Sequence, residues 1–357
     1  MTPLGDLLAR RIAKTGPLIL ADYMAECLFH PRHGYYVSGD PLGAGGDFTT
    51  APEISQTFGE ILGLCLAQSW LDQGRPQPFA LAELGPGRGT LMADILRAAR
   101  AVPGFVEAAQ LHLVEASPAL RACQAETLGS RQVQWHAEVG ALPDLPLFLI
   151  ANEFFDALPI RQFRRGAAGV GWHERVVTLR DDGTLAFAWS APAPVAALAP
   201  QLADTAEGDI VELRPAADAV MQVLAGRIAA HGGAAVIIDY GDARSRGDTF
   251  QAVRGHAPVD PLAEPGRADL TAHVDFGALR EAARGVGVSE PVAQGLLLER
   301  LGITARAQAL ARRLTGAALE SHVAAHRRLT HPAEMGTLFK AVALHAPGAP
   351  LPPGFDP

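Results

Sequence analysis

From about residue 79 the chain alternates short apolar runs with longer stretches in which apolar positions recur at helical spacing. Apolar runs of roughly four to eight residues are typical of buried strands, and the intervening periodicity is typical of covering helices. We therefore predict an α/β fold with a largely parallel sheet. The predicted strands are FALAEL (79–84), LHLVEA (111–116), VQWH (133–136), LFLIAN (147–152), DIVELRP (209–215) and AAVIIDY (234–240). The predicted helices are TLMADILRAAR (90–100), SPALRACQAETL (117–128) and a segment ending near His231.

Regions outside this alternation predict additions to the sheet domain. Residues 161–190 alternate like antiparallel strands around a DDG turn at 181–183, and an Ala/Pro-rich surface connection follows at 191–200. An insertion over about 161–205 is therefore predicted. The predicted parts of the chain are a helical leader (1–75) with a glycine-rich flap (40–50), a core domain with its insertion (76–295), and C-terminal helices with a final strand (296–357).

Composition and charge narrow the class of protein. The formal net charge of −8 and the pI near 5.8 argue against a general nucleic-acid binder. Cys27, Cys65 and Cys123 are far apart and form no CxxC pair, which favours a reducing compartment over disulfides or zinc. No apolar run reaches the ~18 residues of a membrane helix, and the first residues lack the apolar core of a secretory signal. We expect a cytoplasmic protein without a metal.

A glycine-rich loop, LAELGPGRGTL, lies between the first predicted strand and the following helix. Dinucleotide loops space their glycines as G-x-G-x-x-G, whereas Gly85, Gly87 and Gly89 alternate here and Thr90 occupies the third glycine position. Pro86 also removes one backbone N–H from the loop. No GK[ST] follows, which excludes a nucleoside-triphosphate loop. The loop is therefore a poor cradle for phosphate.

The spacing E-x-G-x-G-x-G instead suits S-adenosylmethionine, which carries no phosphate. Its carboxylate can lie at the N-terminus of the helix that starts at Thr90, where the helix dipole favours negative charge. Glu83 can accept from its amino group directly or through water, and Glu115, after the second strand, can hold the ribose hydroxyls. The predicted cofactor-binding residues are Glu83, Gly85, Pro86, Gly87, Gly89 and Glu115.

Structural interpretations of the same residues stay open. A G-x-G turn can be a tight strand-to-helix connection, and an acid after a strand can cap the next helix. Ser117-Pro118 already supplies a helix start beside Glu115. Upstream, Thr50-Ala51-Pro52-Glu53 matches a capping box for a helix to about Leu71. The functional alternative there is a flap, 43–50, that closes over cofactor and substrate.

The fourth strand leads into ANEFFDALP, where Asn152, Glu153 and Asp156 are the predicted catalytic residues. Ligands of such sheets bind at the carboxyl ends of strands, so these side chains would face the cofactor's methyl group. Methyl transfer needs an aligned nucleophile and electrostatic complementarity. Glu153 and Asp156 could hold a planar guanidinium while one nitrogen attacks, and the Asn152 carbonyl could orient an N–H. The alternative is that Asn152 or Asp156 caps a short helix.

Three further positions are predicted to line the same edge of the sheet: Asp239, His273 and Asp275. Asp239 ends a predicted strand, and helix capping is the alternative for Asp275. The two histidines of HPRHGYY (30–36) have no further ligands nearby, so a metal site is not predicted there.

Five motifs occur in the order found in the MidA-like proteins, over roughly residues 20 to 345. They are GGDFTTAPEISQTFGE, AELGPGRGTL, ANEFFDALP, DTFQAVRGHAPVDPLAEPGRADLTAHVDF and EMGTLFK. The chain resembles this family, which includes the mitochondrial arginine methyltransferase that assists assembly of respiratory complex I. The resemblance implies a Rossmann-like class I methyltransferase sheet of seven strands, with the family's helical and β-rich additions, and S-adenosylmethionine as cofactor.

The resemblance also implies methylation of a protein arginine, which in the mitochondrial member lies on a core subunit of complex I. The chain lacks a mitochondrial presequence, so we expect a bacterial cytoplasmic relative. The predicted function is protein arginine N-methylation, on a complex I core subunit or another partner protein. The alternatives are a non-catalytic complex I assembly chaperone and an NAD-dependent oxidoreductase.

Overall fold

A computed structural model describes residues 2–38, 49–167 and 169–356 of the chain. These residues form two compact units, each assembled from separate stretches of sequence. The described residues of the larger unit lie in 49–155, 218–243 and 274–356, and those of the smaller unit lie in 2–38, 156–217 and 244–273. The three-part division predicted from the sequence stays a prediction, and the structure groups the residues differently.

The larger unit contains a sheet with seven main strands. They are β1 (Phe79–Leu84), β2 (Ala109–Val114), β3 (Val133–His136), β4 (Leu147–Asn152), β5 (Gly233–Asp242), β6 (Gly287–Val288) and β7 (Phe339–His345). The order across the sheet is β6-β7-β5-β4-β1-β2-β3. Strands β1 to β5 are parallel, and β7 is antiparallel to both neighbours. Short strands Val274–Asp275 and Val292–Ala293 pair with β5 and β7.

The strand order reverses at β1, and this reversal places the candidate site. The chain passes outward from β1 to β2 and β3, and then returns to the other side of β1 as β4. Such a reversal opens a crevice at the carboxyl ends of the strands. The glycine loop follows β1 at that edge, Glu115 follows β2, and Asn152 ends β4.

Burial explains why the sequence pattern located this sheet correctly. All six residues of β1 and all six of β4 are buried. Parallel strands covered on both faces appear as continuous apolar runs rather than as alternating ones. Helix Thr90–Ala99 buries Leu91, Ile95 and Leu96, the three apolar positions at helical spacing.

Helices flank the sheet strands in sequence. The helices of the larger unit, together with the one shared by both units (Pro215–His231), are Ala51–Ile54, Gln56–Asp72, Thr90–Ala99, Phe105–Ala108, Pro118–Leu128, Phe276–Ala282, Gln294–Arg300, Ile303–Ala311, Gly316–Thr330 and Met335–Leu338, with a 3₁₀ turn at Val139–Ala141. The predicted α/β class, with C-terminal helices before a last strand, is confirmed. In the described parts of the chain, every helix is too short or too polar to cross a membrane.

The smaller unit is built on antiparallel pairing. Its five-stranded sheet comprises Leu18–Ile19, Arg161–Arg165, Trp172–Leu179, Leu185–Trp189 and Ile210–Leu213. Its second sheet comprises Gln251–Arg254, Ala257–Pro258 and Asp269–Thr271. Its helices are Pro3–Thr15, Leu20–Phe29 and Tyr35–Ser38, with a 3₁₀ segment at Ala196–Ala203. The β-rich insertion of the predicted fold is therefore present, including its turn, where Thr184 N donates to Asp182 Oδ1, and its bounds of about 161–205 stay a prediction.

Two local predictions are wrong. The strand Ile210–Leu213, predicted as part of the parallel sheet, pairs antiparallel with Arg161–Arg165. The expected helix from 50 to 71 is broken at Ser55, whose extended backbone (φ −157°) ends Ala51–Ile54 and begins Gln56–Asp72. The Ser55 hydroxyl accepts from Thr57 N at 3.3 Å and so caps the second helix. Most of the predicted flap, residues 40–48, lies outside the described residues.

Candidate cofactor-binding site

Left-handed backbone explains the glycines of the loop after β1. Gly85, Gly87 and Gly89 have φ of 60°, 52° and 82°, a region that side chains with a Cβ rarely adopt. Gly85 N donates to Val114 O at 3.0 Å, which ties the loop to the end of β2. A Cβ on Gly85 would also lie 2.9 Å from Cδ2 of Phe154. Geometry and space therefore both require glycine at the first loop position.

Glu83 is a buried carboxylate beside this loop. It is 3% exposed, and its Oε2 has no hydrogen-bond partner among the described residues. Burial raises the pKa of Glu83 to about 8, and a hydrogen bond from the Met92 backbone amide opposes that shift. A buried acceptor with an unused oxygen fits a cationic donor such as an ammonium group.

Glu115 follows β2, and its carboxylate already accepts two hydrogen bonds. Oε1 accepts from Ser117 N at 2.7 Å, and Oε2 accepts from the amide of Gln124 at 3.3 Å. The helix Pro118–Leu128 is capped separately, because the Ser117 hydroxyl accepts from Leu120 N at 3.4 Å. Each carboxylate oxygen can accept more than one hydrogen bond, so the bonds from Ser117 and Gln124 leave the Glu115 carboxylate able to accept from ribose hydroxyls.

Burial dominates the titration of Glu115. It raises the pKa of this carboxyl, while the donors on Ser117 and Gln124 lower it. The partners that orient the carboxylate therefore also favour its ionised form, which is the better acceptor for two hydroxyls.

Glu53 supplies a contact at the start of the helix after the loop. Its Oε1 accepts from the hydroxyl of Thr90 at 2.6 Å. The predicted capping box is wrong, because Thr50 makes no side-chain cap and Glu53 contacts the neighbouring helix instead. The helix Thr90–Ala99 has no side-chain cap at its N-terminus, because its N-cap residue is Gly89. A carboxylate beside a helix N-terminus is favoured by the helix dipole.

The end of β4 brings Asn152 and Glu153 together. The Asn152 amide donates to Glu153 Oε1 at 3.0 Å, and Ala51 N donates to the same oxygen at 3.0 Å. Asn152 is 8% exposed, and its Oδ1 has no partner among the described residues. Glu153 has φ 52°, and its N–H donates to Ile238 O of β5 at 2.9 Å. A non-glycine residue in this conformation is uncommon and clusters at functional sites.

Asp156 belongs to the smaller unit, whereas Asn152 and Glu153 belong to the larger one. Asp156 is 7% exposed, and its backbone carbonyl accepts from Ala272 N at 3.2 Å. Its carboxylate helps to raise the pKa of Tyr36, behind burial and Asp269 in effect. The joint action of Asn152, Glu153 and Asp156 stays a prediction.

The remaining predicted positions have structural partners. Asp239 is fully buried and accepts from Phe155 N and Tyr240 N, both at 2.9 Å, so it holds the turn after β4. Asp275 accepts from Ala278 N at 2.8 Å and caps Phe276–Ala282, as the alternative interpretation expected. His273 belongs to the smaller unit, where its N–H donates to Thr249 Oγ1 at 2.9 Å.

Sequence reasoning missed Gln124, which connects the loop to Glu115. Its amide donates to Gly87 O at 2.8 Å as well as to Glu115 Oε2. The only signal in the sequence is a polar residue on the buried face of Pro118–Leu128. The structure also alters the meaning of Glu53, whose capping pattern hid a contact to another helix.

These groups fit S-adenosylmethionine better than a phosphate ligand or a metal ion. The edge of the sheet presents acceptors at Glu83, Glu115 and Asn152, which suit an ammonium group, ribose hydroxyls and a donor N–H. Among the described residues, no group of three or more His, Cys, Asp and Glu side chains could hold a metal ion.

Comparison with known proteins gives a consistent result. Residues 61–292 match the family described as "Putative S-adenosyl-L-methionine-dependent methyltransferase". The chain is 38% identical to "Protein arginine methyltransferase NDUFAF7, mitochondrial" from Danio rerio, over 93% of this chain and 84% of that protein. It is 36% identical to the Homo sapiens protein of the same name, over 96% of this chain and 83% of that protein.

A solved structure supports the same family. A Burkholderia thailandensis protein bound to S-adenosyl-homocysteine is 31% identical and superimposes with a TM-score of 0.83, covering 99% of this chain and 92% of that one. The family resemblance, the class I methyltransferase sheet and the methyltransferase activity predicted from the motifs are confirmed, and a nicotinamide-dependent oxidoreductase is set aside. The chain belongs to the S-adenosylmethionine-dependent methyltransferase family that includes the mitochondrial NDUFAF7 proteins, and S-adenosylmethionine is its cofactor.

Proposed function

We propose that the chain transfers a methyl group from S-adenosylmethionine to an arginine side chain of a partner protein. The observation that carries the proposal is the Asn152–Glu153 pair at the carboxyl end of β4, where the buried Asn152 Oδ1 has no partner among the described residues and the Asn152 amide donates to the Glu153 carboxylate. The curated relatives named protein arginine methyltransferases align with more than nine-tenths of the chain, which supports the same acceptor.

The proposed cofactor-binding residues are those of the β1 and β2 ends: Glu83, Gly85, Pro86, Gly87, Gly89 and Glu115. Glu83 would accept from the cofactor's amino group, and Glu115 would accept from the ribose hydroxyls. The left-handed glycines let the backbone approach the ligand closely, and Pro86 restricts the turn. The bound cofactor supplies an electrophilic methyl group on a sulfonium centre.

The proposed catalytic residues receive the guanidinium. Glu153 would accept paired N–H donors, while the Asn152 Oδ1 would accept a third and so orient the attacking nitrogen. Asp156 is the proposed second carboxylate of this fork. Methylation of a guanidinium nitrogen releases one proton from that nitrogen, and these carboxylates are the proposed groups that receive it.

The proposed partner is a respiratory complex I subunit, as the family resemblance implies, and the proposed compartment is the bacterial cytoplasm. Mass spectrometry of complex I subunits from a deletion strain tests the partner. We expect loss of methylation from one arginine and its return when the gene is restored. An unchanged arginine methylation state would exclude complex I as the substrate.

A non-catalytic assembly chaperone is the competing function. Gly87 has φ 52°, so Gly87→Val disturbs the cofactor loop at a position where a branched side chain is strained. We expect this variant to fail in cells, whereas Gly140→Val should function because Gly140 is exposed with nothing within 4 Å of its Cβ position. Full rescue by Gly87→Val, with no cofactor binding by the purified variant, would favour the chaperone.

A further inference from the structure

The side-chain amide of Gln124 joins three parts of the cofactor site. Gln124 is fully buried in the helix Pro118–Leu128. Its Nε2 donates to Gly87 O at 2.8 Å and to Glu115 Oε2 at 3.3 Å, so both amide hydrogens have acceptors. Its Oε1 accepts from Trp135 Nε1 at 2.9 Å. The amide therefore links the glycine loop, the acid after β2, and strand β3.

The chemistry of the three partners permits only one orientation of this amide. The indole of Trp135 can only donate, so it must face the amide oxygen of Gln124. The Gly87 carbonyl and the ionised Glu115 carboxylate can only accept, so they must face the NH₂ group. Trp135 thus sets the direction in which Gln124 donates, and a flipped amide would lose all three hydrogen bonds.

The Glu115 carboxylate is held from two sides as a result. Ser117 N holds Oε1, and Gln124 holds Oε2, while Glu115 N donates to His136 O at 2.9 Å. Gln124 acts on the loop as well, because it fixes the carbonyl of Gly87.

We propose that Gln124 is a positioning residue that aims the Glu115 carboxylate at the cofactor's ribose, and that it thereby sets the preference for a ribose with both hydroxyls. This proposal rests on the ribose role proposed for Glu115. Gln124 itself touches no reacting atom, and it acts through Glu115 and Gly87.

The proposal is tested by calorimetric measurement of the binding of S-adenosylhomocysteine and of its 2′-deoxyribose analogue to the purified chain. Gln124→Met keeps the side-chain length and removes both donors. We expect it to weaken S-adenosylhomocysteine about tenfold, the equivalent of roughly 1.4 kcal/mol, while the deoxy analogue weakens much less. Glu115→Gln should reduce the same ribose preference, and the double variant should add little to either change.

Gln134→Met is the matched control. Gln134 is exposed in β3, so the same substitution there should leave nearly wild-type affinity for both ligands. In Gln124→Met the partly buried indole N–H of Trp135 has lost its acceptor. The double variant Gln124→Met/Trp135→Phe removes this donor as well, so we expect its folding stability to recover while its ribose preference stays lost. Urea unfolding of each ligand-free variant measures its folding stability separately from its ligand affinity.

Equal weakening of both ligands by Gln124→Met, or no weakening, would overturn the proposal. The same holds if Glu115→Gln leaves the ribose preference unchanged. Failure of the proposed function is a separate result: wild-type protein that binds S-adenosylhomocysteine yet methylates no arginine would refute the arginine acceptor, while the ribose measurements still decide the role of Gln124.

Discussion

At the residue scale, burial sets the chemistry of Glu83. This side chain has a raised pKa of about 8 because its charged form lacks solvent. A buried carboxyl group with a raised pKa can form a strong charge-assisted hydrogen bond when an ammonium group supplies a positive charge beside it. The proposed contact with the cofactor's ammonium group would offset the cost of burying Glu83.

Glu83→Gln should stabilise the ligand-free protein at alkaline pH. The folded pKa of about 8 lies above the ordinary 4.5, so wild-type stability is complete below about 4.5 and falls as pH rises to about 8. Glutamine cannot ionise, so the variant should keep its free energy of unfolding across this window, as measured by urea unfolding at pH 6 and 9. Exposed Glu107→Gln should follow the wild-type curve.

The same variant should bind S-adenosylhomocysteine more weakly. Wild-type affinity should rise with pH toward 8, because binding favours ionised Glu83, and the variant should lack this dependence. Calorimetry in buffers with different protonation enthalpies measures the proton released on binding. An unaltered affinity in Glu83→Gln would refute the proposed contact with the cofactor's amino group.

Gly85→Ala should weaken both folding and cofactor binding. The residue has φ 60°, and an added Cβ would meet Phe154 Cδ2 at 2.9 Å, so backbone strain and crowding act together. We expect a loss of about 1–3 kcal/mol in the free energy of unfolding. Gly140→Ala, at an exposed position without a nearby atom, should change little. Equal stability of the two variants would contradict the strain argument.

At the element scale, glutamate side chains of neighbouring elements accept hydrogen bonds at helix starts. Glu153 accepts from Ala51 N, Glu53 accepts from the first residue of Thr90–Ala99, and Glu115 accepts from Ser117 N. A helix start carries backbone N–H groups without partners and a partial positive charge, so a carboxylate is favourable there. The contacts of Glu153 and Glu115 pre-organise two of the carboxylates that the proposed function uses.

The pairing of β2 with β3 predicts sensitivity to acid. His112 Nδ1 lies 2.9 Å from His136 Nε2, and burial with this neighbour lowers the pKa of His112 from 6.5 to about 4. Protonation therefore favours the unfolded chain, so stability is complete above about 6.5 and is lost as pH falls to about 4. Urea unfolding should show a weaker loss over this window in His112→Gln, whereas exposed His256→Gln should match the wild type.

At the scale of the whole molecule, the proposed site residues are distributed over two units. The larger unit holds all the proposed cofactor-binding residues, whereas Asp156 belongs to the smaller unit with its antiparallel sheets. The division follows contacts and not sequence order, since three separate stretches of sequence form each unit.

Hydrogen exchange should locate cofactor binding within the larger unit. Adding S-adenosylhomocysteine at about 100 times its Kd adds roughly 2.7 kcal/mol of stability to any opening that releases the ligand. We expect the strongest protection over residues 81–91 and 115–124, measured by mass spectrometry. Strands Arg161–Arg165 and Trp172–Leu179 should change little, and protection confined to them would contradict the proposed site.

The local chemistry of the chain was sufficient to predict the class of protein. Continuous apolar runs marked β1, β2 and β4 because both faces of a parallel strand are covered. The glycine loop was recognisable because a left-handed backbone at successive alternate positions requires glycine. Both signals arise from residues close together in sequence. Together with the order of the motifs, they were sufficient to predict an S-adenosylmethionine-dependent methyltransferase.

Only the tertiary structure decided which distant groups meet. The pairing of Ile210–Leu213 with Arg161–Arg165, the contact of Glu53 with Thr90, and the bond from Gln124 to the Gly87 carbonyl join residues far apart in sequence. The pattern of a strand predicts which face is buried but not which strand pairs with it. A polar residue type predicts a hydrogen-bond donor but not the acceptor that it meets. Burial then favours such pairings, because an unpaired buried polar group destabilises the fold.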